Sequence, residues 1–178
     1  LGDGFPVTGI AKNAFAGRKE LLSTTIPATV TTIGERVFAG CPNLESIVVA
    51  SDNPTYHSAG NCIIETASKT LIAGCNTSQI PTDGSVTVIG EHAFHQRYFL
   101  TAIDIPKGVT TIGPGAFDGC PDLSSVTLPG SITGIGTNAF GNCTQMAVFT
   151  IEDSENPGLV TEFMTDAAGN ATAFAGCT

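Results

Sequence analysis

The chain of 178 residues is long enough for one ordinary domain, and its apolar fraction of 42% allows a sizeable core. Charged residues make up only 13%, the net charge is −9, and no Lys or Arg follows Lys107, which disfavours nucleic acid and anionic membrane surfaces as main partners. The 21 glycines and 10 prolines argue against long helices, and the apolar runs are too short to span a bilayer.

An internal repeat of 23 residues begins near the amino terminus and predicts the architecture. A phenylalanine that follows Ala or Val recurs with spacings of 23, 56, 23 and 23, and an isoleucine five residues before each one keeps the same spacings. The phenylalanines are Phe15, Phe38, Phe94, Phe117 and Phe140. A fixed period of this length indicates a solenoid, in which each unit buries its apolar face by stacking on its neighbours. We expect six strand-bearing coils and one column of five stacked phenylalanines.

Each regular unit predicts two short extended segments joined by tight turns. In one unit, Val126 and Leu128 alternate with polar residues, which is the period of a half-buried strand, and Pro129 ends the strand. Residues 132–135 form a second extended piece, and Gly136 after it indicates a positive φ or a close backbone approach. The predicted fold class is a mainly β repeat solenoid, a right-handed coil of ~23-residue units.

The 56-residue spacing equals 23 plus 33, so an enlarged unit interrupts the array. Within it, residues 61–73 hold two apolar runs around a polar turn at 66–69, which predicts a β-hairpin. The closing Ala175-Gly176-Cys177 is similar to Ala73-Gly74-Cys75, which suggests a second irregular unit. We expect a single solenoid domain over residues 1–178, with regular repeats at about 8–50 and 82–151, a hairpin-containing unit at about 51–81 and an irregular carboxyl-terminal unit at 152–178.

One stretch of a regular unit carries a family resemblance. It reads Leu123-x-x-Val126-x-Leu128-Pro129-x-x-Ile132-x-x-Ile135-Gly136-x-x-Ala139-Phe140-x-x-Cys143, and it resembles the BspA-like, or treponemal-type, leucine-rich repeat. The resemblance covers about residues 8–151, and Asp52-Asn53-Pro54-x-Tyr56 before the hairpin is also similar to what the family shows between regular repeats. It implies an extracellular or cell-surface protein of bacteria or parasitic protists, with a curved solenoid used in adhesion or protein binding and with no enzyme activity. Because the chain opens with Leu1 and shows no signal-peptide pattern, we expect a mature or trimmed fragment.

Outward-facing residues of the longer strands form the candidate binding face. The stripe is small, polar and nearly uncharged, and it lacks the Trp, Tyr and Arg that usually form hot spots, so an ordinary solvated β-face is the competing interpretation. The hairpin and the two residues Tyr56 and His57 before it form a second candidate patch, with simple packing as the alternative. The candidate binding residues are Glu45, Ser46, Val48, Tyr56, His57, Thr101, Asp104, Ser125 and Thr127.

Chemically reactive groups are sparse. Cys41, Cys120 and Cys143 share one repeat position, which favours a column of buried thiols over a disulfide or metal ladder because stacked side chains point the same way. Cys62 and Cys75 flank the hairpin, where a disulfide is the alternative to two thiols. The run Glu91-His92-x-x-His95 lacks the order of a metal-binding helix and predicts a surface turn, and the acidic run at 152–156 has no EF-hand spacing. We expect no catalytic residue, metal or cofactor.

Two functions remain open from the sequence. The first is a monomeric, non-enzymatic protein-binding or adhesion module whose ligand is a host or extracellular-matrix protein. The second is a purely structural spacer that displays other domains of a larger surface protein. An exposed contiguous apolar or aromatic patch distinguishes them, because a binder needs one and a spacer does not.

Overall fold

The computed structural model describes residues 5–152 and 173–177, which form strands and tight turns without a helix. In this described part, no helix is available that has the length and hydropathy to cross a bilayer. The strands are β1 (Gly9–Ile10), β2 (Ser23–Ile26), β3 (Thr32–Ile33), β4 (Ser46–Val49), β5 (Tyr56–Ala59), β6 (Cys62–Glu65), β7 (Thr70–Ala73), β8 (Val88–Ile89), β9 (Ala102–Asp104), β10 (Thr111–Ile112), β11 (Ser125–Pro129), β12 (Gly134–Ile135) and β13 (Val148–Glu152).

Neighbouring turns pair in parallel with a register of 23 residues. Among the longer strands, Ser125 of β11 pairs with Ala102 of β9 and Val148 of β13. Among the two-residue strands, Ile112 pairs with Ile89 and Ile135. The prediction of a β solenoid is confirmed, with about 6 turns of ~23 residues.

Alternation along the longer strands divides core from surface as predicted. In β4, Ile47 and Val49 are buried, whereas Val48 between them is 45% exposed. Glycine follows four of the five repeat isoleucines, with Ala11 in the first unit, and a close approach between turns requires it. A Cβ at Gly34 would overlap the backbone of Lys12, and Gly34 is not among the residues with positive φ. Of the two readings of this glycine, the close approach is therefore the right one.

The stacked phenylalanines form two stacks, and the expectation of one column is wrong at the insertion. The first stack joins Phe15 to Phe38, with ring centroids 5.6 Å apart. The second contains Phe94, Phe117 and Phe140, with nearly parallel rings separated by 5.0 and 5.2 Å. Between the two stacks, a backbone turn of the inserted unit stands where a ring is expected, and a Cβ on its Gly74 would overlap the Phe94 ring.

The last described residues extend the second stack. Phe174 stacks on Phe140 with centroids 5.2 Å apart, and the Phe140 N–H donates to the Ala173 carbonyl as the Phe117 N–H does to Ala139. Residues 173–177 therefore form a regular turn, and their Ala-Phe-x-Gly-Cys string is a further copy of the repeat at a spacing of 34. The rest of the expected carboxyl-terminal unit, residues 153–172 and 178, lies outside the described residues, as does most of the acidic run.

The hairpin prediction is confirmed, and the structure adds a third strand to it. β5, β6 and β7 pair antiparallel in chain order, and β7 pairs parallel with β8. Gly60 and Asn61 join β5 to β6 with φ of 54° and 57°, the left-handed values that a two-residue hairpin turn needs. The insertion is thereby continuous with the sheet of short strands.

Strand β6 is a partition between two hydrophobic cores. Cys62 and Ile64 belong to the core that contains Phe94, whereas Ile63 belongs to the core that contains Phe38. The first three residues of β6 are completely buried, and the turn at 66–69 is exposed along its whole length. The expectation that the hairpin is a surface patch is therefore wrong for its strands, because the solenoid stacks on both sides of them.

Candidate functional site

The candidate residues of the longer strands lie on one face of the solenoid. Ser46 and Val48 of β4 are followed, beyond the insertion, by Asp104 of β9 and by Ser125 and Thr127 of β11. The register places Asp104 directly beside Thr127. Glu45 and Thr101 stand just before β4 and β9, where the carbonyl of Thr101 accepts a hydrogen bond from the Ser124 N–H. We call this surface the concave face, the side that carries the longer strands.

Tyr56 does not belong to an exposed patch. Its side chain is 5% exposed, its hydroxyl lies 3.5 Å from the carbonyl oxygen of Thr31, and burial raises the pKa of the phenol. His57 is half-buried, and its Nδ1 is 2.8 Å from the hydroxyl oxygen of Thr66 across the hairpin. The expected Tyr56–His57 binding patch is thus corrected, because Tyr56 fills space between the insertion and the preceding turn.

The sheet of the concave face is interrupted at the insertion. Residues 77–80 alternate between exposed and buried as β9 does, and they occupy the place of a longer strand, but they join no strand ladder. They are held to the preceding turn by side chains: the Thr77 hydroxyl donates to the Glu45 carbonyl at 2.7 Å, and the Asn76 amide donates to the Pro42 carbonyl at 2.7 Å. On their other side lies a groove of about 580 Å³ that reaches β9.

Two exposed aromatic residues precede β9. Tyr98 and Phe99 are 38% and 59% exposed, and they stand where the other units have Lys19-Glu20, Pro42-Asn43, Pro121-Asp122 and Thr144-Gln145. They were not identified from the sequence as candidates, although their departure from the repeat pattern is visible in an alignment of the units. Neither side chain makes a hydrogen bond or a ring contact in the described structure, so the exposed pair is available for contact with a partner.

Turn residues that adopt left-handed backbone conformations form a column along the solenoid. Its members have φ between 54° and 60° and are Asn13, Arg36, His92, Gly115 and Asn138. Asn and Gly are ordinary there, whereas Arg36 and His92 are not, and these two face each other across the insertion. The Arg36 Nη2 donates to His92 Nε2 at 2.7 Å, and His92 Nδ1 lies 3.3 Å from the Gly115 carbonyl oxygen.

Arg97 bridges the same gap inside the molecule. It is 2% exposed and replaces the repeat cysteine, three residues after Phe94. Its guanidinium donates to the carbonyl of Phe38 at 2.7 Å and to that of Cys41 at 3.4 Å, while its Nε has no partner in the described structure. Burial lowers the pKa of Arg97. A charged side chain thus supplies hydrogen bonds to the preceding turn, which the insertion has moved beyond the reach of a thiol.

The predicted column of buried thiols is confirmed. Each donates its S–H to the carbonyl of the phenylalanine one turn earlier, as Cys120 does to Phe94 at 3.1 Å and Cys143 to Phe117 at 3.3 Å. Burial raises the pKa of both Cys62 and Cys120 to about 12, so neither is a nucleophile at neutral pH. All six cysteines of the chain are thiols, Cys62 and Cys75 included.

One group of metal-ligating residue types comes together at the turn that follows the insertion. A ligand atom from each of Glu35, Glu91 and His92 lies within 4.8 Å of the others. Two cations already engage these atoms: Arg36 donates to His92 Nε2, and the Lys12 ammonium lies 2.6 Å from the Glu35 carboxylate and lowers its pKa. Because a metal would have to displace both cations, the cluster is an ion-pair network. It lies at the joint, which is our name for the place where the insertion separates the turn of Arg36 from the turn of His92. The run from Glu91 to His95 forms a tight turn as expected, but its imidazoles are largely covered.

Comparison with known proteins finds a matching family model and several similar solved structures. The family model described as BspA type leucine-rich repeat region matches residues 8–147 in 6 copies. A leucine-rich repeat protein from Eubacterium ventriosum is 28% identical with a TM-score of 0.62, over 73% of this chain and 36% of that one. The pneumococcal vaccine antigen PcpA is 19% identical with a TM-score of 0.60, over 83% and 43%. A leucine-rich cell-surface protein from Faecalibacterium prausnitzii is 26% identical with a TM-score of 0.45, over 90% and 55%.

Coverage of these structures is partial. The chain spans from 36% to 55% of their lengths, so they contain segments to which it has no counterpart in the alignments. No curated protein sequence matches the chain.

Proposed function

The chain belongs to the BspA-type leucine-rich repeat family, and from this premise we propose that it is a non-enzymatic protein-binding or adhesion module of the bacterial cell surface. The observation that carries the proposal is the exposed pair Tyr98 and Phe99. The pair lies in the turn that leads into β9, next to the concave face. A protein with only 12 Phe and Tyr residues, most of the Phe residues being in stacks, has few aromatic side chains available for a surface.

The energetics of interfaces support this reading. Aromatic anchors dominate binding free energy when they are surrounded by contacts that exclude water. Beside Tyr98 and Phe99, the concave face offers small and polar residues such as Ser125 and Thr127, which allow a partner's surface to approach closely. The aromatic pair adds apolar area beside a surface of mostly small and polar side chains, on which Val48 is also exposed.

The structural spacer is the second candidate. It is favoured by the uncharged, small side chains over most of the concave face, which resemble an ordinary solvated sheet. A spacer, however, gives no reason for two exposed aromatic residues at positions where the other units have proline or polar residues. The two functions therefore differ in whether these aromatics are needed for capture of a partner.

The experiment compares capture of solubilised host extracellular-matrix proteins by the full chain and by a double variant, Tyr98→Ser with Phe99→Ser. Loss of two anchors should weaken capture by at least about tenfold. Phe5→Ser is the matched control, because Phe5 is 99% exposed and lies at the amino-terminal end of the described residues, several turns before β9. Undiminished capture by the double variant, or no saturable capture by the parent chain, would favour the spacer.

A further inference from the structure

We propose that the groove at the break in the concave sheet is a strand-addition site, which takes an extended, basic polypeptide segment of the protein partner; this inference rests on the proposed binding function. The groove lies between residues 76–82 and β9, and its volume of about 580 Å³ falls in the range of ligand sites. The inference concerns how a partner is held, and it commits to main-chain pairing along β9.

The first argument is that β9 has an open edge. It pairs with β11 on one side and is the terminal strand of its sheet. Toward residues 76–82, no backbone hydrogen bond crosses the groove among the described residues. An unpaired edge presents N–H and C=O groups to any extended chain that reaches it. In the regular units, by contrast, a longer strand such as β11 has a neighbour on each side.

The second argument is that the other strand edge at the insertion is capped, whereas β9 is not. Toward the insertion, the Val49 N–H of β4 donates to the Ser58 hydroxyl at 2.9 Å, and the Glu45 carbonyl just before β4 accepts from the Thr77 hydroxyl at 2.7 Å. Side chains thus satisfy backbone groups that lost their ladder there. No side-chain cap of this kind is present along β9 in the described structure, so the groove leaves its edge accessible.

The third argument identifies the partner by its charge. Asp104 is the one ionisable residue among those lining the groove, and it is exposed. The chain as a whole carries a net charge of −9, so a second copy would bring like charge to this surface. A basic segment places its alternate side chains against Asp104 while its backbone pairs with β9. Ala102, which lines the β9 wall of the groove, presents only a methyl group at this edge.

The test follows backbone amide resonances of the full, nitrogen-15-labelled chain during titration with three synthetic heptapeptides. The first alternates Thr and Lys, the second is the same peptide with alternate backbone amides N-methylated, and the third alternates Thr and Glu. We expect the first to shift resonances at residues 77–80, at Thr82 and at 101–105, and N-methylation to weaken binding by about 10- to 100-fold because it removes several main-chain hydrogen bonds. The acidic peptide should bind more weakly than the basic one by a few-fold.

Two substitutions at register-matched positions provide the control. Ala102→Trp fills the groove at the open edge, whereas Val148→Trp places the same bulk at the register-matched position of β13, two repeats away. We expect the first to abolish the peptide-induced shifts and the second to leave them. Any of three results refutes strand addition: the basic peptide does not bind, its binding survives N-methylation, or its binding is lost equally in both variants. If strand addition is refuted but matrix capture still depends on Tyr98 and Phe99, the proposed binding function stands without strand addition. If the peptide binds at β9 but the chain captures no matrix protein, only the adhesion role is refuted.

Discussion

Replacing Arg97 with cysteine restores the residue that the repeat has elsewhere in this column, and we predict that it destabilises the protein. In a regular turn, Cys120 donates its S–H to the carbonyl of Phe94 at 3.1 Å. At position 97 the equivalent acceptor is the carbonyl of Phe38, 59 residues away along the chain, and the guanidinium reaches it at 2.7 Å. A cysteine side chain ends before the guanidinium begins, so Arg97→Cys leaves this carbonyl without its donor.

The magnitude follows from opposing contributions. Hydrogen bonds from a charged donor contribute about 1.5–3 kcal/mol, and the second bond, to the Cys41 carbonyl at 3.4 Å, is the weaker of the two. The lost aliphatic stem adds about 0.8 kcal/mol for each buried methylene. The substitution also removes the desolvation cost of a buried guanidinium whose Nε has no partner in the described structure, and this offsets part of the loss. We expect a net decrease of about 2–4 kcal/mol in the free energy of unfolding.

The assay is urea unfolding followed by far-ultraviolet circular dichroism in reducing buffer, since the chain has no Trp for fluorescence. Because Arg97 joins turns on the two sides of the insertion, weakening it should also broaden or split the transition, as repeat units lose their coupling. Arg18→Cys is the matched control: Arg18 is exposed, and the change should stay within about 0.5 kcal/mol of the parent. If Arg97→Cys is as stable as the parent chain, the guanidinium is not the connection that we describe.

Two further predictions concern the core and the turn at the joint. Phe117→Ala should lower the free energy of unfolding by about 3–5 kcal/mol, and Phe15→Ala by less because Phe15 is 37% exposed; equal losses in calorimetry would contradict the ring-stack argument. Burial lowers the pKa of His95 below 6.5, so the unfolded chain binds the proton more readily and stability should fall as the pH drops below about 6.5. His95→Gln should flatten this dependence in urea titrations at several pH values, and an unchanged slope would assign it to other groups.

Periodicity predicts the stacked part of this fold because each regular turn solves the same packing problem as the next. Val126 is buried for the same reason as Ile103 and Ile47, so one unit is sufficient to place the others. The hairpin was also predictable, since its two apolar runs and polar turn are local features. The position of the hairpin inside the solenoid was not predictable. The apolar run at 62–64 is equally compatible with a surface hairpin and with a strand that has a core on each face.

The candidate site was predicted only where it follows the repeat. Alternation placed Asp104 and Thr127 on the concave face, but it could not show that the sheet breaks beside β9. That break depends on how residues 77–80 meet their neighbours, which is a property of the assembled turns. Tyr56 was misplaced for a related reason, since a tyrosine before a predicted surface hairpin is expected to be exposed until the hairpin is known to lie between two cores.

Departures from the repeat pattern mark the joint more reliably than any single motif. Gly74 replaces the stacked ring, His92 and Gln96 take left-handed positions held elsewhere mainly by Gly and Asn, and Arg97 replaces the thiol. These four changes all occur where the insertion separates two turns, and three of them provide side chains that reach toward the turn before it. Where an insertion removes backbone hydrogen bonds between two turns, the buried backbone groups need other partners. Here longer polar side chains on a flanking turn supply hydrogen bonds across the gap. The same reasoning separates Tyr98 and Phe99 from this group, because they also break the pattern and yet bridge nothing in the described structure, which is why a partner is the better explanation for them.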